Sequence, residues 1–143
     1  MRIYLAAPLF TTGERDFNAA VGARLREAGH EVFLPHDQEH DAFDPARTFR
    51  RDVDHEHWSN VVVGIMDGPD PDRGSAWEIG YAYAKGTPII LLRTDFREWG
   101  GRTGGVPYNL MLTEAATERI ELAAPTVDVA AVALIEALAR LSR

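Results

Sequence analysis

A chain of 143 residues, 45% of them hydrophobic, is sized for one globular domain, here residues 1–143, with a core of its own. It has no cysteine, which excludes disulfides, thiolate nucleophiles and thiolate metal sites. A net charge of −7 argues against general affinity for nucleic acid polymers or anionic membranes, while leaving room for a small substrate held by a few local groups.

The first apolar run, Ile3-Tyr4-Leu5-Ala6-Ala7, reads as a strand ended by Pro8. No run reaches membrane-spanning length and residue 1 leads almost directly into this strand, so a cytoplasmic location is expected. Thr12 to Ala28 predicts a helix with Phe17, Ala20, Val21, Leu25 and Ala28 on one face, stopped by Gly29. Glu31 to Leu34 predicts a second strand, closed by Pro35, and a polar His- and Asp-rich loop follows. Pro45 suits a first helical position, and Phe49, Val53 and His57 recur every four residues.

Val61 to Met66 is a near-continuous apolar run of the kind buried on both faces of a sheet. Asp67-Gly68-Pro69-Asp70-Pro71-Asp72 must turn the chain, and a helix is expected to resume near Gly74-Ser75 and end near Lys85-Gly86. Pro88 to Leu92 predicts another buried strand. Thr94 to Pro107 is glycine-rich and expected to be mobile. Asn109 to Ala116 predicts a short helix, Arg119 to Leu122 a final strand, and Asp128 to Leu141 a closing amphipathic helix.

Strands alternating with helices at this spacing predict an α/β fold: a three-layer α/β/α sandwich of the flavodoxin-like type, with about five parallel strands. The glycine fingerprint of dinucleotide folds is missing after strand one, where Ala6-Ala7-Pro8-Leu9-Phe10 stands instead.

The candidate chemistry lies in the turn after the central strand. Ser75-Ala76-Trp77-Glu78 matches a capping box, in which Glu78 would reach back to its own helix start. Alternatively Glu78 points into the crevice as a nucleophile, its ionised form favoured by the helix N-terminus. Two carboxylates in different environments suffice to cleave a glycosidic bond, one attacking the anomeric carbon and the other serving the leaving group. Asp72, just ahead of Glu78, suits the second part. Asp67 either shares it or caps the turn, and Asp70, flanked by prolines, reads as solvated.

Three segments in order carry a resemblance: Tyr4-Leu5-Ala6-Ala7-Pro8-Leu9-Phe10, Asp72-Arg73-Gly74-Ser75-Ala76-Trp77-Glu78-Ile79-Gly80-Tyr81-Ala82, and Asn109-Leu110-Met111. Together they resemble the nucleoside 2-deoxyribosyltransferase family. The resemblance implies a flavodoxin-like subunit in a homo-oligomer, dimer or hexamer, with shared active sites. It implies exchange of bases on 2′-deoxynucleosides through a covalent deoxyribosyl-glutamate. Its partners would be nucleosides and free nucleobases, with no cofactor and no metal. Carried over, Glu78 would be the nucleophile, Tyr4 would orient its carboxylate, and Asp72 would bind the base and assist its protonation. Asp52 would be a second base-side aspartate, Phe10 part of a stacking wall, and Asn109 a contact to the sugar 5′-hydroxyl of a neighbouring subunit's site. Gly74 falls with the substrate-binding residues. Without the resemblance, Tyr4 reads as core, Asp52 as a solvated helix face and Asn109 as a helix cap.

The closest alternative is a hydrolase of deoxynucleoside 5′-monophosphates, whose relatives hold phosphate with a serine and an arginine in a glycine-rich turn after strand one. That pattern is absent here, leaving Arg15 and Arg102 as candidate phosphate contacts. A non-catalytic nucleotide-binding module is the alternative of another class. A receiver-like module is disfavoured by Ala6-Ala7, where an acidic pair would be needed. His36-Asp37-Gln38-Glu39-His40 fits a zinc-protease pattern without its helix. Trp58, Trp77 and Trp99 read as packing or interface residues.

Overall fold

The computed structural model describes residues 1–38, 44–95 and 107–142. Among them, strands β1 (Arg2–Ala6), β2 (Glu31–Phe33), β3 (Val61–Ile65), β4 (Ile89–Arg93) and β5 (Glu118–Glu121) form one parallel sheet in the order β2-β1-β3-β4-β5. This is the expected flavodoxin-like α/β fold. Helices α1 (Thr12–Glu27), α2 (Pro45–Trp58), α3 (Arg73–Lys85), α4 (Leu110–Thr113) and α5 (Val127–Leu141) link the strands. A 3-10 turn at Pro35–Gln38 stands where the sequence predicted only loop. The α4 helix is shorter than expected, because Asn109 is its cap and the chain leaves the helix after Thr113.

Alternation along the strands builds the three layers. Ile3, Leu5, Val61, Val63, Ile90 and Leu92 face α1 and α5, where Val21, Leu25, Leu134 and Leu138 complete one core. Tyr4, Val62, Ile89 and Leu91 face the opposite way and pack with Ile79 and Ala82 of α3 and Leu112 of α4. The predicted inner face of α1 holds at Val21 and Leu25, whereas Ala28 is exposed and Asn18 buried, its amide donating to the Pro8 carbonyl at 2.8 Å.

Two features seat α3. Gly64 lets the helix approach the sheet: a methyl group there would stand 2.8 Å from Leu91 Cδ2 and 2.9 Å from Ile79 Cδ1. Asp67, left open by the sequence between chemistry and capping, ties the end of β3 to the end of β4. Its carboxylate accepts from the Thr94 backbone N–H at 2.6 Å and from the Thr94 hydroxyl. Beside it, buried Arg93 donates to the Met66 carbonyl at 2.6 Å and to the Gly68 carbonyl at 3.1 Å. The acidic turn is therefore anchored from β4. Between β1 and β3 the sheet order reverses direction, and ligand crevices of such sheets open at the carboxyl ends of those strands.

Candidate active site

A cavity of about 250 Å³ lies at that place. Tyr4 of β1 and Gly74, Trp77 and Glu78 of α3 form part of its wall, and Phe49, Asp52, Val53 and Glu56 of α2 form the rest. The Tyr4 hydroxyl donates to Glu78 Oε1 at 2.6 Å, across 74 residues of sequence. Tyr4 is fully buried in the core, as its position in an apolar strand demands, yet its hydroxyl reaches out of that core to the cavity.

The capping-box reading of Glu78 is overturned. The cap of α3 is Asp72, whose Oδ2 accepts from the Ser75 backbone N–H at 2.8 Å and from the Ser75 hydroxyl at 3.3 Å. The helix thus begins at Arg73, and Glu78 falls in its second turn, beyond reach of the orphan N–H groups. The dipole argument for its ionised form weakens with that distance. Burial instead pushes the Glu78 carboxyl up to about 8. The Tyr4 hydrogen bond works against that shift, and the charges of Glu56, Asp52 and Asp72 add to it. The same burial and the facing carboxylates drive the Tyr4 hydroxyl well above its ordinary value.

The other candidate residues divide. Asp52 lies on the cavity wall, held by Arg51 at 2.8 Å. Gly74 also lies on the wall, and a Cβ there would stand 3.0 Å from Asp72 Oδ2. Asp72 is not one of the wall residues but adjoins one of them, Gly74, as the cap just described; its Oδ1 has no hydrogen-bond partner among the described residues. Phe10 is 73% exposed and away from this wall. Asn109 is also outside it and caps α4, accepting from the Met111 backbone N–H at 2.9 Å. Arg15 holds the loop after β1, its Nε donating to the Leu9 carbonyl at 2.8 Å.

Four wall residues were not foreseen as site residues. Phe49 and Trp77 meet edge-on at 5.6 Å between centroids, both half exposed, and Trp77 stacks on Tyr81. Val53 and Glu56 of α2 also line the cavity. The signal was a second spacing of four on α2: Asp52 and Glu56 share the inward face, while His57, assigned to the apolar stripe, is exposed and bonds Tyr81. Among the described residues no cluster has the makings of a metal site. Glu39, His40, Trp99, Arg102, the Gly100–Gly105 loop and most of the segment expected to be mobile lie outside the described residues.

Residues 3–111 match the family model for nucleoside 2-deoxyribosyltransferase. The chain belongs to that family. Comparison with curated protein sequences gives no significant match. Among solved structures, the 2-deoxyribosyltransferase of Bacillus psychrosaccharolyticus is 27% identical with a TM-score of 0.71, covering 92% of this chain and 90% of that one. A Leishmania mexicana 2-desoxiribosyltransferase is 22% identical with a TM-score of 0.71, covering 94% and 96%. The CMP N-glycosidase BcmB of Clostridium botulinum is 22% identical with a TM-score of 0.61, covering 85% and 88%. At such identities the last two show a common fold. The family therefore fixes glycosyl transfer or N-glycoside cleavage on small nucleosides and bases as the class of chemistry. Tyr4, Asp52, Asp72, Glu78 and Asn109 all lie within the matched stretch.

Proposed function

We propose that this protein is a nucleoside 2-deoxyribosyltransferase that exchanges the base of 2′-deoxynucleosides by retaining double displacement. The observation that carries the reading is the Tyr4 hydroxyl set 2.6 Å from Glu78 Oε1 on the wall of a cavity at the β1/β3 crevice. Ionised Glu78 attacks C1′ as the bond to the base nitrogen breaks through an oxocarbenium-like state. The departing base takes a proton or a hydrogen bond from Asp72, with Asp52 on the same side. A second base then attacks C1′ from the face the first one left, which returns the glutamate and retains configuration. Tyr4 holds the attacking oxygen and steadies its charge.

The reading extends to an assembly. Exposed Phe10, Leu110 and Met111 beside Asn109 suit a contact between subunits, through which Asn109 reaches the sugar of a neighbour's site and Phe10 its base. A homo-oligomer also excludes water, which would otherwise consume the intermediate. Among the described residues no helix is long and apolar enough to cross a membrane, and a cytoplasmic role in deoxyribonucleoside salvage completes the proposal.

Incubation with deoxyinosine and free adenine, followed by chromatography, tests the reading. Deoxyadenosine is the expected product. Free deoxyribose alone, or release of base from deoxynucleoside 5′-monophosphates only, assigns a hydrolase. No change with any nucleoside or nucleotide leaves a binding module.

A further inference from the structure

Glu56 is the buried acid that the proposed chemistry leaves unused. It follows Asp52 by one turn of α2 and lines the same cavity as Tyr4 and Glu78. The residue is 2% exposed, and neither of its carboxylate oxygens has a hydrogen-bond partner among the described residues. A buried polar group left unpaired is costly, and an aliphatic side chain would pack there without that cost. Asp52 differs: it is half-buried and held by Arg51 at 2.8 Å.

The two helices of the cavity wall divide the work. α3 brings Glu78, and with it the place of C1′ in the proposed reaction. α2 brings Phe49, Asp52, Val53 and Glu56, spaced so that an aromatic ring, an aliphatic side chain and two acids share one helical face. Apolar surface with a few polar groups suits a flat heterocycle, so α2 is the wall that meets the base. A carboxylate only accepts hydrogen bonds. With both oxygens open, its best partner presents two adjacent N–H donors, as guanine does along N1 and its 2-amino group. Adenine and cytosine set a ring-nitrogen acceptor beside their amino group, and hypoxanthine, uracil and thymine offer one ring N–H beside carbonyl oxygen. A 2-deoxyribose carries its two hydroxyls on separated carbons. Burial pushes the Glu56 carboxyl up to about 7, with Lys85 opposing the rise and Asp52 adding to it. Two donated N–H groups would favour the ionised form.

We propose that Glu56 is a specificity-determining residue that reads a guanine-type edge, its two oxygens accepting from the ring N1–H and the 2-amino group. The inference rests on the reading of this cavity as a nucleoside site and deepens it by naming the base. A base that lacks one of the two donors leaves a buried oxygen unpaired and is held less well.

Deoxyguanosine and deoxyinosine differ in the 2-amino group alone and make the test. In Glu78→Gln protein, which should leave the sugar–base bond intact, calorimetry is expected to show deoxyguanosine bound about tenfold or more tightly than deoxyinosine. Adding Glu56→Gln keeps the shape, replaces one acceptor with an amide N–H, and should bring that ratio close to one. Glu56→Leu, which suits the apolar surroundings, should lose the preference as well. With Glu78 in place, kcat/KM for base release should show the same preference and the same collapse in both Glu56 variants. A role for Glu56 in packing alone would weaken both nucleosides alike and leave the ratio standing. The proposal is overturned by equal binding of the two nucleosides with Glu56 in place, by a ratio that survives in both Glu56 variants, or by no binding of either. It is also overturned if Glu56 instead favours guanosine over deoxyguanosine, because the two oxygens would then serve a ribose diol. Turnover surviving in Glu78→Gln would remove the nucleophile reading, and the kcat/KM ratios would still decide Glu56.

Discussion

At the start of α1, Thr11-Thr12-Gly13-Glu14 forms a complete capping box: Thr11 Oγ1 accepts from the Glu14 N–H, and Glu14 Oε2 accepts from the Thr11 N–H at 2.7 Å and the Phe10 N–H at 2.9 Å. At the start of α3, Ser75-Ala76-Trp77-Glu78 has the same spacing of residue types and forms none of it. Asp72 takes the cap three residues earlier, Ser75 becomes an inner, buried recipient of that cap, and Glu78 moves one turn along the helix to face Tyr4. A glutamate with satisfied oxygens at a helix start is structural. One displaced from that duty, turned onto a cavity and raised in pKa by burial, is available for chemistry.

Swapping out the two glutamates is the strongest way to break this comparison. Glu78→Gln is expected to lower kcat by roughly 10³-fold or more, since a nucleophile acts as part of a unit. Its melting temperature should hold or rise, because a buried acid gives way to a neutral amide. Glu14→Ala should do the reverse: a loss of about 1 kcal/mol or less in urea unfolding, with kcat unchanged, because Glu14 lies off the cavity wall. Near-normal turnover in Glu78→Gln would remove the basis for treating the two helix starts as different.

The caps themselves sharpen it. Asn is as good a cap as Asp, so Asp72→Asn should keep the stability of α3 while slowing the leaving of the base by about a hundredfold. Asp72→Ala should lose both, with about 1 kcal/mol of stability from the missing cap. Thr11→Ala at α1 should show that stability loss alone. Equal kcat for Asp72→Asn and wild type would confine Asp72 to capping.

The fold was legible because strand and helix periods alternate cleanly: the apolar runs at Ile3, Val61 and Ile89 fall in β1, β3 and β4, and Pro45 and Gly86 mark helix ends as such residues should. The site was legible only in outline. A capping-box pattern cannot say which of two nearby residues, Asp72 or Ser75, takes the cap, since both are good caps and the choice depends on how the turn leaves β3. Likewise a spacing of four on α2 fits Phe49, Val53 and His57 as well as Asp52 and Glu56. Only packing against Tyr4 and Glu78 turns the acidic face inward. Phe10 and Asn109 sit apart from this wall, and one chain's sequence does not position the neighbouring subunit that the proposal gives them.

Tyr4 gives the smallest expected effect and the finest test, since it acts on the carboxyl that the first helix has no counterpart for. Burial holds Glu78 at about 8 against an ordinary 4.5, and the Tyr4 hydrogen bond opposes that rise. Tyr4→Phe should therefore raise Glu78 further and move the ascending limb of kcat/KM upward by about one pH unit. The sign carries over to stability. Between 4.5 and about 8 the folded protein holds a proton on Glu78 that the unfolded chain has released, so stability falls as pH rises through that window and levels above it. In Tyr4→Phe the fall should continue to higher pH, whereas in Glu78→Gln this contribution to the slope should vanish. Urea unfolding at intervals from acidic to alkaline pH reads both. A Tyr4→Phe profile that moves downward instead would mean the hydroxyl steadies the neutral acid, and the oxygen facing it would then be the wrong one to attack a sugar.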